Sequence, residues 1–286
     1  MLLFLNFAIH YSFKILKMPF RLLFKKINNS PTKTQCNIDV VIPLIAKDIK
    51  IAQICVQSLK KYSLNPVQNI FIVSPADSQI IDFCTSNQLK FIDEDSILPI
   101  SKEEIKKLIK QKNRVGWFIQ QLIKLNSETI PNLAEKYLVF DADTVLCQKQ
   151  FFYNEKFTVL KFSDEFHFLY RLTNYKILKK VNLLPVSFIA HHMVFEKSIL
   201  ISLKKHIQHI HTENWFNVIL DKGIDNNYFF SEYELYAQYV LAKFPARYKK
   251  QYWFNNNNNF DNHYDINIKG SFYQSISYHN YSGYEK

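Results

Sequence analysis

Glycine is scarce, with only 4 in 286 residues, so a Gly-rich phosphate cradle cannot be built. Neither G-x-x-x-x-G-K-[ST] nor G-x-G-x-x-G occurs, which weighs against P-loop and dinucleotide-binding chemistry. The four cysteines, Cys36, Cys55, Cys84 and Cys147, are far apart and form no C-x-x-C. That argues against a zinc knuckle or disulfide framework and fits a reducing compartment, with the thiols simply buried. Acid is missing altogether from the first 35 residues, which carry six cations: Lys14, Lys17, Arg21, Lys25, Lys26 and Lys33. The net charge is +11, so only five of those positive charges are left for the remaining 251 residues. The basicity therefore describes a tail more than a nucleic-acid-binding body.

What is plentiful is apolar surface. Hydrophobic residues make up 48% and aromatics 16% of a 34.1 kDa chain, enough for a packed core. The tail, MLLFLNFAIHYSFKILKMPFRLLFKK, mixes Leu and Phe with cations at positions 14, 17, 21 and 25, which a helix would align on one face. Pro19 should interrupt it. Its uncharged run Leu2–Phe13 is too short to span a bilayer, and the charges follow the apolar stretch, opposite to a signal peptide. A helix lying on an anionic membrane surface is expected, with packing on the body as the alternative. The chain thus divides into a tail and linker at 1–35 and one domain at 36–286.

The body alternates in period. IDVVIP (38–43), NIFIVSP (69–75) and LKFID (89–93) read as strands separated by helices at 49–62 and 77–88. SKEEIKKLIK (101–110) opens on a Ser-x-x-Glu capping box, and GWFIQQLIKLNS (116–127) reads as another helix. Strands are expected at 137–140, 157–162, 187–195, 248–254 and 275–279, and helices at 164–180, near 196–209 and at 231–244. The asparagine run Asn255–Asn259 reads as a loop. No internal repeat is present. The pattern predicts a single α/β domain with a mostly parallel central sheet flanked by helices.

Chemistry concentrates in YLVFDADTVL (137–146). An apolar strand runs straight into Asp141 and Asp143, two like charges one residue apart. Carboxylates so placed suit a hard divalent cation, Mg²⁺ or Mn²⁺, which commonly shares a nucleotide's phosphates. Turn aspartates capping backbone amides are the plainer alternative. Strand carboxyl ends are where open α/β sheets bind ligands, which favours a site.

Two families carry this pattern. Haloacid-dehalogenase-like phosphatases begin with a strand and Asp-x-Asp-x-Thr, which DADTV fits, and Asp141 would then be a nucleophile. They also need a later acidic magnesium motif, which is missing, and their motif opens the catalytic domain. Here three strand-helix units come first. The order of VVIPLIAKD (40–48), VGWFIQQLIKL (115–125), YLVFDADTVL, HHMVF (191–195) and SEYELYAQYV (231–240) instead resembles GT-A nucleotide-sugar glycosyltransferases. The closer likeness is to a bacterial glycosyltransferase-like family of largely uncharacterised substrate, over roughly 38–280.

That resemblance implies a GT-A-like fold, a metal-dependent sugar transfer and a set of roles. Asp141 and Asp143, with His279 as a third ligand, would hold the metal. Asp48 would touch the nucleobase or ribose, unless it only caps the following helix. Trp117 and Gln121 would line the donor site, and the flanking Arg114 and Lys124 would contact its diphosphate, unless they are only solvated helix charges. Glu232, at a helix start, would be the base that activates the acceptor hydroxyl, and Glu234 an acceptor contact. His191 and His192, as neighbours on a strand, face opposite sides, so at most one reaches the acceptor site. The histidines at 206, 209 and 211 sit among lysines and read as solvated surface. The expected partners are a UDP-sugar and a glycan or glycolipid acceptor, at the inner face of the cell membrane. A non-catalytic nucleotide-sugar-binding module is the remaining alternative.

Overall fold

The computed structural model describes residues 34–163, 167–180, 186–225, 229–258 and 273–278. The basic tail and His279 lie outside these. In chain order the first half runs β1 (Ile38–Pro43), α1 (Ile49–Tyr62), β2 (Val67–Ser74), α2 (Ser78–Ser86), β3 (Lys90–Asp93), α3 (Lys102–Leu108), α4 (Lys112–Leu125) and β4 (Lys136–Phe140). There follow β5 (Thr144–Leu146), β6 (Thr158–Phe162), α5 (Phe168–Leu178), β7 (His192–Glu196), α6 (Lys197–His211), α7 (Trp215–Asp225) and α8 (Glu232–Lys243). Three strands, β8 (Tyr248–Tyr252), β9 (Asn255–Asn258) and β10 (Ser275–Tyr278), close the described chain.

The central sheet has the order β3-β2-β1-β4-β7. Its first four strands are parallel, and β7 joins β4 antiparallel. Both faces are covered, which is why the strands read as unbroken apolar runs and not as alternating ones. Val41, Phe71, Val73, Tyr137, Val139 and Phe195 face a core built with α3, α4, α6, α7 and α8. Val40, Ile42, Ile70, Ile72, Leu138 and Phe140 face a second core against α1 and α2. Each fully buried Val, Ile or Phe of these layers contributes about 1.5–3 kcal/mol relative to exposure. The mostly parallel α/β architecture in one domain is the one expected.

Strand order locates the opening of the sheet. From β1 the chain steps outward to β2 and β3, then returns to the other side of β1 as β4. The crevice between the carboxyl ends of β1 and β4 is therefore a topological switch point, where α/β sheets open toward ligands.

Several local expectations hold, and others are corrected. The capping box at α3 is present: Glu104 N–H donates to Ser101 Oγ at 3.3 Å, and Ser101 N–H donates to Glu104 Oε2 at 3.0 Å. Helix α4 begins at Lys112, four residues before the expected start, because Gly116 is a helix-interior residue on the cavity wall and not a boundary. Within the asparagine run, Asn255–Asn258 form a strand and not a loop. Asn255–Asn258 pairs in parallel with β10, and Asn255 Nδ2 donates to Ser277 Oγ at 3.1 Å. Cross-strand partners override the low strand propensity of asparagine. The expected strand 187–195 reduces to His192–Glu196, since His191 is left-handed (φ 59°) and Ser187 only bridges Ser163. Helix α7 was not anticipated at all, nor was β5.

Candidate active site

Strand β4 ends at Phe140, and the chain then turns tightly through Asp141, Ala142 and Asp143 into β5. Asp141 N–H donates to the His191 carbonyl at 2.9 Å, and Thr144 N–H to the Asp141 carbonyl at 3.1 Å. On the far side, Tyr278 N–H donates to the Asp143 carbonyl at 2.9 Å, and the hydroxyls of Thr144 and Ser277 lie 2.9 Å apart. The acid pair is thus staked between the β7 lead-in and β10. It opens into a cavity of about 700 Å³. The β1–α1 loop (Leu44, Ile45, Lys47, Asp48) and α4 (Lys112 to Lys124) form two of its walls. His167 and Tyr170 of the α5 start, His191, and Ser231–Tyr233 at the start of α8 complete it, with Tyr278.

The charges are arranged around one cation. Lys124, 2% exposed, places Nζ 2.6 Å from Asp141 Oδ1 and 2.8 Å from Glu232 Oε1. Tyr233 donates its hydroxyl to the same Asp141 Oδ1 at 2.8 Å, and its ring lies beneath the Lys124 ammonium at 4.5 Å. His191 Nδ1 lies 3.3 Å from Asp141 Oδ2. Burial alone would push the Asp141 carboxyl up, but the Lys124 ammonium and then His191 hold it well below the usual carboxylate range. Burial also disfavours the charged Lys124, yet its two carboxylates outweigh this and its ammonium is held above the usual range. Glu232 goes the other way: burial raises it, Lys124 only partly offsets this, and Asp141 adds to the rise. Asp48 is raised by burial, with Lys47 opposing and Asp143 adding its charge.

His191 is a non-glycine residue in left-handed backbone, a conformation that persists where the surroundings over-determine it. Its carbonyl and its ring both engage Asp141, so the strained residue serves the acid turn.

Two carboxylates on one turn form a hard-oxygen donor set, which suits Mg²⁺ or Mn²⁺ completing its shell with water or phosphate oxygens. Asp143 and the Oδ2 of Asp141 are the oxygens in question, since Lys124 and Tyr233 occupy Oδ1. Among the described residues, no three His, Cys, Asp or Glu side chains converge on one point.

Residues 35–282 match a family described as "Family of unknown function (DUF6492)". The chain belongs to this family. No curated protein matches it. Among solved structures it is similar to the apo form of mouse xyloside xylosyltransferase 1, at 8% identity and TM-score 0.47, over 88% of this chain and 100% of that one. It is also similar to the galactosyltransferase LgtC with donor and acceptor sugar analogues, at 10% identity and TM-score 0.47, over 84% and 87%. A third is glucosyl-3-phosphoglycerate synthase from Mycobacterium tuberculosis with Mn²⁺, UDP and phosphoglyceric acid, at 11% identity and TM-score 0.39, over 76% and 68%.

In this DUF6492 member, eight of the residues singled out from sequence line the cavity: Asp48, Trp117, Gln121, Lys124, Asp141, Asp143, His191 and Glu232. Gln121 spends its carbonyl on the Glu232 N–H at 2.9 Å, fixing the start of α8. Three others are elsewhere. Arg114 is exposed, with its guanidinium 5.7 Å from the Trp117 ring centre, and does not line the cavity. His192 is buried against Phe140, Phe152 and Trp253, its Nδ1 2.7 Å from the Ala190 carbonyl. Burial there pushes the imidazole down to about 3. Glu234 accepts from Phe188 N–H at 2.7 Å and lies 3.7 Å from Arg171, holding α8 to the segment before β7. His279 lies outside the described residues.

Sequence reasoning does not reach Tyr233, His167, Tyr170 or Tyr278. Of these, only Tyr233 carries a signal, as the residue between the two singled-out glutamates.

No helix among the described residues is long and apolar enough to cross a membrane.

Proposed function

We propose that this chain transfers a sugar from a nucleotide-sugar donor, most naturally a UDP-sugar, to an acceptor hydroxyl on a glycan or glycolipid of the cell envelope. One observation carries the reading: the Asp141–Asp143 pair, with Asp141 held ionised by Lys124, lines a large cavity at the sheet's switch point. The ordered likeness to GT-A glycosyltransferases agrees with it.

Asp141 and Asp143 would hold Mg²⁺ or Mn²⁺, which, when bound, acts as a Lewis acid on the departing diphosphate. The chain's own residues do the rest. Lys124 keeps Asp141 ionised and fixes its orientation. Asp48 and Lys47, on the β1–α1 loop, face the donor's nucleoside end. Trp117 and Gln121 wall the cavity between them and the acid turn. Glu232 would take the acceptor's proton: it lines the cavity, burial raises its proton affinity, and Lys124 keeps it oriented. Arg114, Glu234 and His192 have no part in this reading.

A nucleophilic Asp141, as a phosphatase would need, is disfavoured because the later acidic magnesium motif of such enzymes is missing from the chain.

A thermal-shift screen of nucleotide-sugars with and without Mn²⁺ tests the donor. A ligand that binds only the native state raises the melting temperature. Glu232→Gln should keep that shift and lose turnover. Trapping a phosphorylated Asp141 would overturn the proposal.

A further inference from the structure

The two rims of the cavity mouth share an unusual chemistry. One is the α3–α4 corner, residues 106–114, KKLIKQKNR: five cations, no acid, and every residue but Ile109 exposed. Lys112 and Asn113 line the cavity, and Lys112 Nζ reaches back to the Lys106 carbonyl at 3.4 Å, so the corner stands at the mouth. The other rim is the β1–α1 loop, where Ile45 and Lys47 are exposed cavity-wall residues, followed by exposed Lys50. Nearby acids are committed elsewhere. Glu94 and Asp95 take Lys102 at 2.6 and 2.9 Å, Glu103 takes Lys106 at 3.6 Å, and Glu104 serves the Ser101 cap. Asp48 faces the cavity.

Cations alone would suit any polyanion, but the rims are not cations alone. Among the described residues five large apolar side chains are exposed, and two of them, Ile45 at 45% and Leu108 at 48%, stand on these rims. Apolar side chains set among lysines match a surface with hydrocarbon beneath negative charge, and a soluble polyanion offers them nothing. The tail repeats the same chemistry in sequence, with Leu and Phe among six cations and no acid. Stable attachment takes two such signals more readily than one.

We propose that the cavity mouth docks face-down on an anionic bilayer. Lys47, Lys50, Lys107, Lys110, Lys112 and Arg114 meet the headgroups, and Ile45 and Leu108 reach below them. That the mouth then receives a lipid-borne acceptor rests on the transferase reading; the docking itself does not.

The test uses the full chain in co-sedimentation with vesicles of phosphatidylcholine, alone or mixed with phosphatidylglycerol. Lys107→Gln/Lys110→Gln should weaken binding to the mixed vesicles roughly thirtyfold at low salt, about fivefold per lysine. Lys60→Gln/Lys61→Gln removes the same charge from the opposite end of α1, roughly 20 Å away, and should leave affinity unchanged. A polarity-sensitive dye on Leu108→Cys should blue-shift on mixed vesicles, while one on Ile81→Cys should not. Equal losses in the two double variants would mean that net charge alone drives binding, and an unchanged Lys107→Gln/Lys110→Gln affinity or no shift at position 108 would mean that the tail alone binds; each would overturn the docking. Binding to soluble dextran sulfate without binding to vesicles would overturn it too. No readout involves a nucleotide-sugar, so a failure here leaves the transferase proposal standing, and a failed donor screen leaves the docking standing.

Discussion

Replacing Lys124 by methionine would remove the cation shared by Asp141 and Glu232 while keeping much of the side chain's volume. Glu232 is 2% exposed and Asp141 18%, so two charges would be stranded, one of them deeply. Breaking a buried ion pair by removing one partner costs about 3–5 kcal/mol. Asp141 keeps the Tyr233 hydroxyl and some solvent, which places the expected loss near the lower end, about 3 kcal/mol. At roughly 2–4 °C per kcal/mol for a domain near this size, the melting temperature should fall by about 10 °C.

The pH dependence identifies the cause. Asp141 is held low in the fold, so its stabilisation is present above its ordinary value and fades as pH falls through the lowered one. Lys124 is held high, so its contribution is intact below its ordinary value and fades only as pH rises through the raised one. Neutral pH lies inside both windows. Without Lys124, Glu232 rises further than burial already raises it and takes a proton as the solution is acidified. The deficit should therefore be widest at pH 8 and narrow at pH 5, followed by circular dichroism melts. Glu232→Gln added to Lys124→Met should recover part of the loss at pH 8. A Lys124→Met protein within about 2 °C of wild type at pH 8, or equally weakened at both pH values, would refute the reasoning.

Lys161 on β6 donates to the amide oxygens of Gln150, at 3.3 Å, and Gln251, and lies over the Trp253 ring at 5.1 Å; burial pushes its ammonium down to about 7. The unfolded chain then binds the extra proton between that value and the ordinary lysine value, so stability rises with pH across that window. Lys161→Met should melt higher than wild type at pH 7 and lose that advantage progressively toward pH 10.5, where lysine normally titrates; a pH-independent difference would contradict this. Gly223 on α7 faces Phe118, where an added Cβ would lie 2.9 Å from Cζ and 3.0 Å from Cε1. Gly→Ala within a helix ordinarily gains about 1 kcal/mol, but overpacking costs about 1–3, so Gly223→Ala should lower the melting temperature. Phe118→Leu in the same chain should reverse the sign.

The sheet was legible because burial on both faces leaves few polar positions in the strand centres, and apolar runs such as VVIP and YLVF then stand out. The acid pair was legible for the same reason: charges are conspicuous directly after the four apolar residues Tyr137–Phe140. Trp117, Gln121 and Lys124 were found together because they recur on one helical face, and that face does line the cavity. What sequence could not decide was which of two neighbours turns inward. Glu232 and Glu234 are chemically equivalent on paper, and only the packing of α8 sends the second to Phe188 N–H. His191 and His192 separate as expected, but by a left-handed residue before β7 and not by strand alternation. The partnership of Lys124 with Asp141 joins residues 17 apart, and that of Tyr233 with Asp141 joins residues 92 apart. No local pattern encodes such contacts. The asparagine strand was hidden because its stability comes from β10.

Whether Asp141 and Asp143 serve a nucleotide-sugar is tested most directly by release of nucleoside diphosphate. The purified chain would be given a panel of nucleotide-sugars with Mn²⁺ or Mg²⁺. Metal-dependent release from one donor, most naturally a UDP-sugar, is the expected result, abolished in Asp143→Asn while that variant melts like wild type. Release that proceeds equally in Asp143→Asn, or none from any donor by a folded wild-type protein, would contradict it.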